Sequence, residues 1–463
     1  MQKLLSLSVM ALSAFALTAQ SQRKPNVVFI LVDDMGWKDL GCYGSDYHQT
    51  PNIDNLANDA VKFTNGYSAC TVSSPTRAAI MTGKYPAKLH LTDWIEGHKK
   101  PDAKLQIPDW TMFLSLEEVT MAEIFKFAGY STAHIGKWHL GQMEKYWPEN
   151  QGFDINIGGW SKGSPNLNKK EGTNGYFSPY GNPRMKDGPE GEYLTERLAK
   201  EACDYIQHAK SKPFFLNLWF YNVHTPLQAK QDKIDKYQAI VDSAKFQKNP
   251  VYAAMVEHVD DAVGKIIATL KSEGLYENTI IVFTSDNGGL IGREKNKVTN
   301  NSPLRLGKGT IYEGGVRVPL IIKNAGDNPI KYISQTPAIS IDFLPTLIDL
   351  ADLQVDKKIK KGFDGVSLKS LFVSQDAKLK RKSIFWHYPH YHNQGATPYS
   401  AVRMGDWKLI HIMESDSYEL YNLKNDVSET ENLYEAKPKI AEKLKKTLES
   451  WREKMDAQMP TRK

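Results

Sequence analysis

Asn26-Val27-Val28-Phe29-Ile30-Leu31-Val32 is seven residues with no charge, and it stops abruptly at Asp33-Asp34-Met35-Gly36. A continuous apolar, β-branched run of this length suits a strand buried on both faces, as in a parallel sheet covered by helices. The pattern recurs downstream. Thr279–Thr284 is another apolar strand, ending in Ser285-Asp286-Asn287-Gly288, and Pro213–Phe220 runs into Asn222 and His224. The shorter Tyr130–Ile135 leads into Gly136-Lys137-Trp138-His139. Between them, Val256, Val259, Val263, Ile266 and Leu270 keep helical spacing up to Gly274. Strands alternating with helices, each strand closing on polar residues, describe an α/β sheet with its site at the carboxyl ends of the strands.

The remainder of the chain fits around that core. With 463 residues, 41% hydrophobic and 24% charged, it is long enough for one large domain with an appendage and has the composition of a globular protein. The net charge of +6 is spread without basic blocks. It therefore reads as a solvated lysine-rich surface, and no nucleic-acid motif accompanies it. Residues 1–19, with one Lys, an apolar run and then small residues, have the pattern of a secretory signal peptide cleaved after Ala19. The expected location is thus periplasmic or secreted, with no membrane span. Residues 20–375 are expected to form the catalytic α/β domain. Past the basic link "SQDAKLKRKS", residues 376–463 read as a smaller subdomain of antiparallel strands plus an amphipathic helix bearing Ile440, Leu444, Leu448, Trp451 and Met455. Three cysteines, Cys42, Cys70 and Cys203, are too few for a disulfide framework; they leave room for one bridge, and three buried thiols are the expected outcome.

Two sets of residues carry chemistry. Asp33, Asp34, Asp286 and Asn287 offer only oxygen ligands, a donor set that suits Ca²⁺, whereas Zn²⁺ usually recruits His or Cys. The second set lies in Thr71–Gly83, "TVSSPTRAAIMTG". With Ser74 as N-cap, Pro75 as the first helical residue and Gly83 just past the end, Ser73 would project at a helix N-terminus, where an anion is favoured. Taken alone, this is an ordinary helix start.

Together with the other motifs it is more. Ser73-x-Pro75-x-Arg77 resembles the Cys/Ser-x-Pro-x-Arg signature of the type I, formylglycine-dependent sulfatases of the alkaline-phosphatase-like superfamily, in particular bacterial serine-type carbohydrate sulfatases and arylsulfatase A-like enzymes. Asp33-Asp34-Met35-Gly36-Trp37, Gly136-Lys137-Trp138-His139-Leu140-Gly141, Ser285-Asp286-Asn287-Gly288 and Lys308–Pro319 match the other signatures of that family, so the resemblance spans essentially the whole mature chain. Register selects Ser73, with Pro75 at +2 and Arg77 at +4, and leaves Cys70 structural.

The resemblance implies a large mixed, mostly parallel sheet sandwiched by helices, with a smaller C-terminal antiparallel sheet plus helix. It implies one Ca²⁺, and Ser73 converted to formylglycine by a maturase, the serine form resembling substrates of the anaerobic radical type. By motif, Arg77 and Lys137 would hold the formylglycine oxygens and His139 would be the base that triggers sulfate expulsion. His224 would protonate the leaving alkoxide, with Lys308 beside it on the sulfate. Trp94, His98, Arg305, His390 and His392 are candidate walls of the sugar site. The expected reaction is exo-acting removal of O-sulfate from a sulfated carbohydrate. The "SPLRLGKG" and "HYPHYH" segments lean toward galactose or N-acetylgalactosamine 4-O-sulfate. Two alternatives are a phosphatase or phosphonate hydrolase of the same superfamily and, with Ser73 unconverted, a non-catalytic binder of sulfated sugars.

Overall fold

The computed structural model describes residues 24–244, 246–293 and 295–463; the expected signal peptide lies outside the described residues. Eight strands form the main sheet: β1 (Asn26–Val32), β2 (Val61–Phe63), β3 (Ser131–Gly136), β4 (Ile155–Ile157), β5 (Phe214–Trp219), β6 (Thr279–Ser285), β7 (Leu320–Lys323) and β8 (Tyr332–Ser334). Their order across the sheet is β8-β2-β7-β6-β1-β5-β3-β4. Only β7 runs against its neighbours; β1 pairs in parallel with both β5 and β6. Every residue of β1, β5 and β6 is buried, which explains why these segments read as unbroken apolar runs instead of alternating. Each fully buried Val, Leu or Ile contributes about 1.5–3 kcal/mol.

Helices cover both faces. Helix α1 (Ser73–Thr82) turns Ala78, Ile80 and Met81 onto one face. On the other, α2 (Leu194–Ala209) buries Leu194, Leu198, Ala202, Tyr205 and Ile206 as one stripe beside α3 (Pro250–Ser272). Asn249 caps α3 through its side chain on the Tyr252 N–H (3.1 Å), and Pro250 occupies the first helical position, where no intrahelical donor is lost.

The C-terminal part is a four-stranded antiparallel sheet, β9 (Ser383–Tyr388), β10 (Tyr399–Met404), β11 (Trp407–Ile412) and β12 (Ser417–Asn422), backed by α4 (Pro438–Lys454). Its core is continuous with the larger domain: Trp386, Tyr399, Leu444 and Leu448 share a cluster with Val72 and Ala79 of the α1 region. The basic link is fastened as well, since Arg381 pairs with the buried Asp342.

One local expectation is corrected. Helix α1 begins at Ser73, with extended Val72 (φ −140°) as its N-cap, so Ser74 is not the cap. The Ser74 hydroxyl is engaged elsewhere, accepting from the Ile95 N–H at 3.2 Å. The three cysteines are free thiols, but only Cys70 is buried; Cys42 and Cys203 are half-buried. No described helix is long and apolar enough to cross a membrane.

Candidate active site

Parallel strands bring their carboxyl ends to one edge, and that edge gathers the polar residues. β1 delivers Asp33 and Asp34, β6 delivers Asp286 and Asn287, β3 delivers Lys137 and His139, and β5 leads to His224. Asp34 and His139 adopt φ of +61° and +60°. Left-handed backbone costs a non-glycine residue roughly 1–2 kcal/mol, and here it re-aims both side chains at the strand ends.

Carboxylate oxygens of Asp33, Asp34 and Asp286 lie within 4.8 Å of one another, all buried. Among the described residues they form the one cluster of this kind. Oδ1 of Asp33 and Oδ1 of Asn287 are buried and accept no hydrogen bond. The Asn287 amide nitrogen, by contrast, donates to Asp34 Oδ1 at 2.8 Å. Unsatisfied buried oxygens are costly unless something positive faces them. Burial, and then Asp286, pushes the Asp33 carboxyl well above its usual range although Lys137 and Arg77 oppose them. Three carboxyls and one amide oxygen, two of whose acceptor atoms are orphaned, fit a hard divalent cation.

Around the acidic cluster lie cations. Arg77 Nε donates to Ser73 Oγ at 2.7 Å and to Asp286 Oδ2 at 3.0 Å; its Nη2 lies 2.7 Å from the same Asp286 oxygen and 3.4 Å from Asp33 Oδ1. Lys137 Nζ donates to Asp33 Oδ2 at 2.6 Å, and burial brings this ammonium down to about 8. Lys308 Nζ lies 2.8 Å from Asp34. Burial pulls Asp34 upward, but Lys308 and then His224 outweigh it and leave that carboxyl below its usual value.

The two histidines are neutral, each with one nitrogen committed. His224 Nδ1 donates to the Thr225 carbonyl at 2.7 Å, so Nε2, 3.7 Å from Asp34 Oδ2, is the nitrogen facing the site. Burial, then Lys308, lowers His224 to about 3. His139 Nε2 lies 2.6 Å from the Ile95 carbonyl, and its Nδ1 is buried without a partner. Burial, then Lys137, holds it well below its ordinary value. Its ring fits only because residue 163 is glycine, where a Cβ would come within 2.4 Å of the imidazole.

Three of the expected sugar-site residues come together. Trp94 and His98 meet edge-on at 5.0 Å between ring centroids, His98 and His392 at 4.7 Å, and Trp94 lies 6.5 Å from His139. Trp94 Nε1 and His98 Nε2 are buried and unpartnered. His392 closes over Gly309, next to Lys308; a Cβ there would meet its ring at 2.0 Å. Arg305 and His390 are placed differently. Arg305 stacks on Tyr312 and donates to Tyr421 Oη and the Glu429 carbonyl, fastening its loop to the C-terminal sheet. His390 is fully buried between Trp110 and Tyr388, on Thr92 Oγ1. Sequence reading also passed over Asp93, a buried carboxyl that accepts from the Trp94 N–H and Tyr388 Oη, each at 2.8 Å. A single loop Asp beside an aromatic gives no periodic or spacing signal by which to find it.

The chain as a whole is similar to known proteins. The sulfatase family profile matches residues 25–353, and that of the N-sulphoglucosamine sulphohydrolase C-terminal region matches 306–454. A sulfatase of Formosa agariphila is 32% identical, the match covering 93% of this chain and 89% of that protein. The N-acetylgalactosamine-6-sulfatase of Mus musculus is 30% identical over 93% of this chain and 80% of its own. The crystal structure of Ps i-CgsB in complex with k-i-k-neocarrahexaose superposes with a TM-score of 0.76 at 31% identity, covering 93% of both chains. The matched profile, spanning most of the chain, and these relatives place the protein in the sulfatase family, and it is a sulfuric ester hydrolase.

Proposed function

We propose that this site removes O-sulfate, in exo fashion, from a sulfated carbohydrate, with formylglycine made from Ser73 as nucleophile and one Ca²⁺ as electrophilic partner. The observation that carries the reading is Ser73: buried at the first residue of α1, its Oγ is held by Arg77 beside an all-oxygen cluster with unsatisfied acceptors. Asp33, Asp34, Asp286 and Asn287 would hold Ca²⁺, which supplies Lewis-acid polarisation of sulfate oxygens. Formylglycine, as its hydrate, supplies two hydroxyls on one carbon, so that one can attack sulfur while the other provides an exit a plain serine lacks.

The chain's own residues do the rest. Arg77 donates to the oxygen at position 73, and Lys137, held on Asp33, would add a second cation where negative charge develops. Lys308 lies on the sulfate side, next to Asp34. His224 presents Nε2 for the proton that the departing sugar oxygen needs. An arriving sulfate anion offsets the push of Lys308 and so raises the proton affinity of His224. His139, with Nε2–H committed to Ile95, has Nδ1 free to accept the proton whose loss releases sulfate. Trp94, His98 and His392 form a wall with two idle N–H or lone-pair sites for sugar hydroxyls. Arg305 and His390 are proposed to support that wall through the C-terminal sheet.

For the sugar we propose galactose or N-acetylgalactosamine carrying a 4-O-sulfate. The names of the relatives support the sugar: one is an N-acetylgalactosamine-6-sulfatase and another was crystallised with a neocarrahexaose. A maturase acting on Ser73 and an extracytoplasmic location complete the proposal. Peptide mass spectrometry of protein made with an active anaerobic maturase tests it: the Ser73 peptide is expected to be lighter by two hydrogens, and turnover to favour sulfated over matched phosphorylated sugars. An unmodified Ser73 in that host would sink the catalytic reading and leave a calcium-dependent binder of sulfated sugars. A preference for phosphate would instead indicate a phosphatase.

A further inference from the structure

The Ile95 peptide is gripped at both polar ends. Its N–H donates to Ser74 Oγ at 3.2 Å and its carbonyl meets His139 Nε2 at 2.6 Å. A ring nitrogen that close to a carbonyl oxygen can only be the protonated one, so the contact assigns the tautomer: Nε2 carries hydrogen and Nδ1 the lone pair. With the opposite tautomer, two acceptors would face each other in a buried site, which is costly.

What keeps the carbonyl there is a short loop with two anchors. Ser74 is fully buried and belongs to α1, directly after the nucleophile position, so the helix that carries Ser73 also carries one anchor. The other is Asp93, only 2% exposed, which accepts from the Trp94 N–H and from Tyr388 Oη on β9. The His98 N–H, at the far end of the same turn, also faces this carboxyl. No described Lys or Arg side chain forms an ion pair with Asp93. A buried carboxyl without a counter-ion is an expensive way to fill space; an apolar side chain would pack more cheaply. Converging donors from both ends of residues 93–98 explain its presence, because they fix the turn.

We propose that Ser74 and Asp93 are positioning residues that hold the Ile95 carbonyl and thereby lock His139 in the tautomer whose Nδ1 can accept a proton. The functional consequence rests on the reading of His139 as the base; the structural one does not. Neither residue touches the reacting atoms. Their effect reaches the site through one backbone carbonyl and one ring.

The tautomer can be read directly. Full-length protein with unmodified Ser73 and ¹⁵N-labelled histidines is examined by long-range ¹H–¹⁵N correlation, and the His139 signals are assigned by difference with His139→Gln. Wild type is expected to show one Nε2-protonated tautomer. Ser74→Ala and Asp93→Ala are expected to show a mixture, while Ser74→Thr, which keeps the acceptor, restores the wild-type pattern. In matured enzyme, Ser74→Ala should lower kcat about tenfold or more, with KM within about twofold. An Nδ1-protonated His139 in wild type overturns the proposal even where the variants do not fold. So does an unchanged tautomer in both alanine variants. A tautomer shift with kcat intact confirms the positioning and removes His139 from the role of base.

Discussion

Arg77 Nε lies 2.7 Å from Ser73 Oγ, one helical turn away on the same helix, and the same Nε, together with Nη2, also donates to Asp286 Oδ2. The spacing of four residues brings the two side chains over each other, and the flat five-donor fork lets one residue serve the nucleophile and the acidic cluster together. A lysine at this position lacks the planar edge formed by Nε and Nη2, so its ammonium cannot reproduce both contacts in the same geometry. Arg77→Lys is therefore expected to lower kcat about 10²–10³-fold in matured enzyme, the size of effect seen when one preorganised donor is lost. Steady-state kinetics on a sulfated sugar checks this, and a loss of less than about threefold would refute the dual role.

Calcium should matter before any catalysis does. The orphaned Oδ1 atoms of Asp33 and Asn287 and the crowded carboxyls make the folded site a better ligand set than the unfolded chain. At a free Ca²⁺ concentration of 100 times Kd, linkage predicts about 2.7 kcal/mol of added stability, read as an upward Tm shift of several degrees. The serine form should show it as fully as the matured enzyme. Asp33→Asn and Asn287→Ala should each reduce the shift. Stabilisation by Zn²⁺ but not by Ca²⁺ would contradict the assigned donor chemistry.

The loop bearing Lys308 is tied to the C-terminal sheet at both ends, by Arg305 on Tyr421 and by Glu313 on Lys408. Lys408 is fully buried, 3.0 Å from Glu313 and 2.9 Å from Glu429, and also donates to the Ile311 carbonyl. Removing the shared cation leaves Glu429 buried without a counter-ion and Glu313 with only Arg317, 3.5 Å away, and the Tyr67 hydroxyl. Lys408→Ala should cost about 3–5 kcal/mol, measured as a drop in the urea midpoint. A cost below about 1 kcal/mol would mean that the cluster relaxes into water.

Much of this was readable from the chain because parallel strands announce themselves. β1, β5 and β6 are buried on both faces, so they appear as uninterrupted apolar runs, and the first polar residues after β1 and β6, Asp33 and Asp286, stand at the site edge. Ser73, Arg77, Lys137 and Lys308 sit in short motifs whose partners are fixed by that topology. Of the expected sugar-site residues, Trp94, His98 and His392 come together, whereas Arg305 and His390 bond to Tyr421, Glu429 and Thr92, each more than a hundred residues away, and nothing local in the sequence reveals those partners. The start of α1 shifted by two residues for a similar reason, since Ser74 satisfies Ile95 instead of its own helix.

Asp93 gives the protein a pH dependence of known sign. Burial pushes its carboxyl up to about 7, against the hydrogen bonds from Tyr388 and the loop backbone. A raised folded value means the native state holds the proton more tightly than the unfolded chain, near 3.8. The resulting stability is complete below the unfolded value and is lost as pH rises through about 7, by up to about 4 kcal/mol. Asp93→Asn, which mimics the protonated form without titrating, should thus gain stability relative to wild type between pH 4 and 7 and level off above. Thermal scans of the two proteins at matched pH decide it; parallel curves would mean that Asp93 titrates normally.

His224 and His139 can be separated by the leaving group. His224 commits Nδ1 to Thr225 and presents Nε2 beside Asp34 and Lys308, where the departing sugar oxygen would lie. A sugar alkoxide leaves poorly without a proton, whereas an acidic phenol leaves readily as its anion. His224→Ala should therefore cost about 10²–10⁴-fold on a sugar sulfate but less than about tenfold on nitrophenyl sulfate. In the proposed mechanism His139 takes a different proton, after the alcohol has gone, so His139→Ala should slow steady-state turnover of both substrates to the same final rate. Single-turnover and steady-state rates for each variant on each substrate distinguish the two. If His224→Ala slows both substrates equally, the proton does not come from His224, and the assignment of acid and base must be reversed.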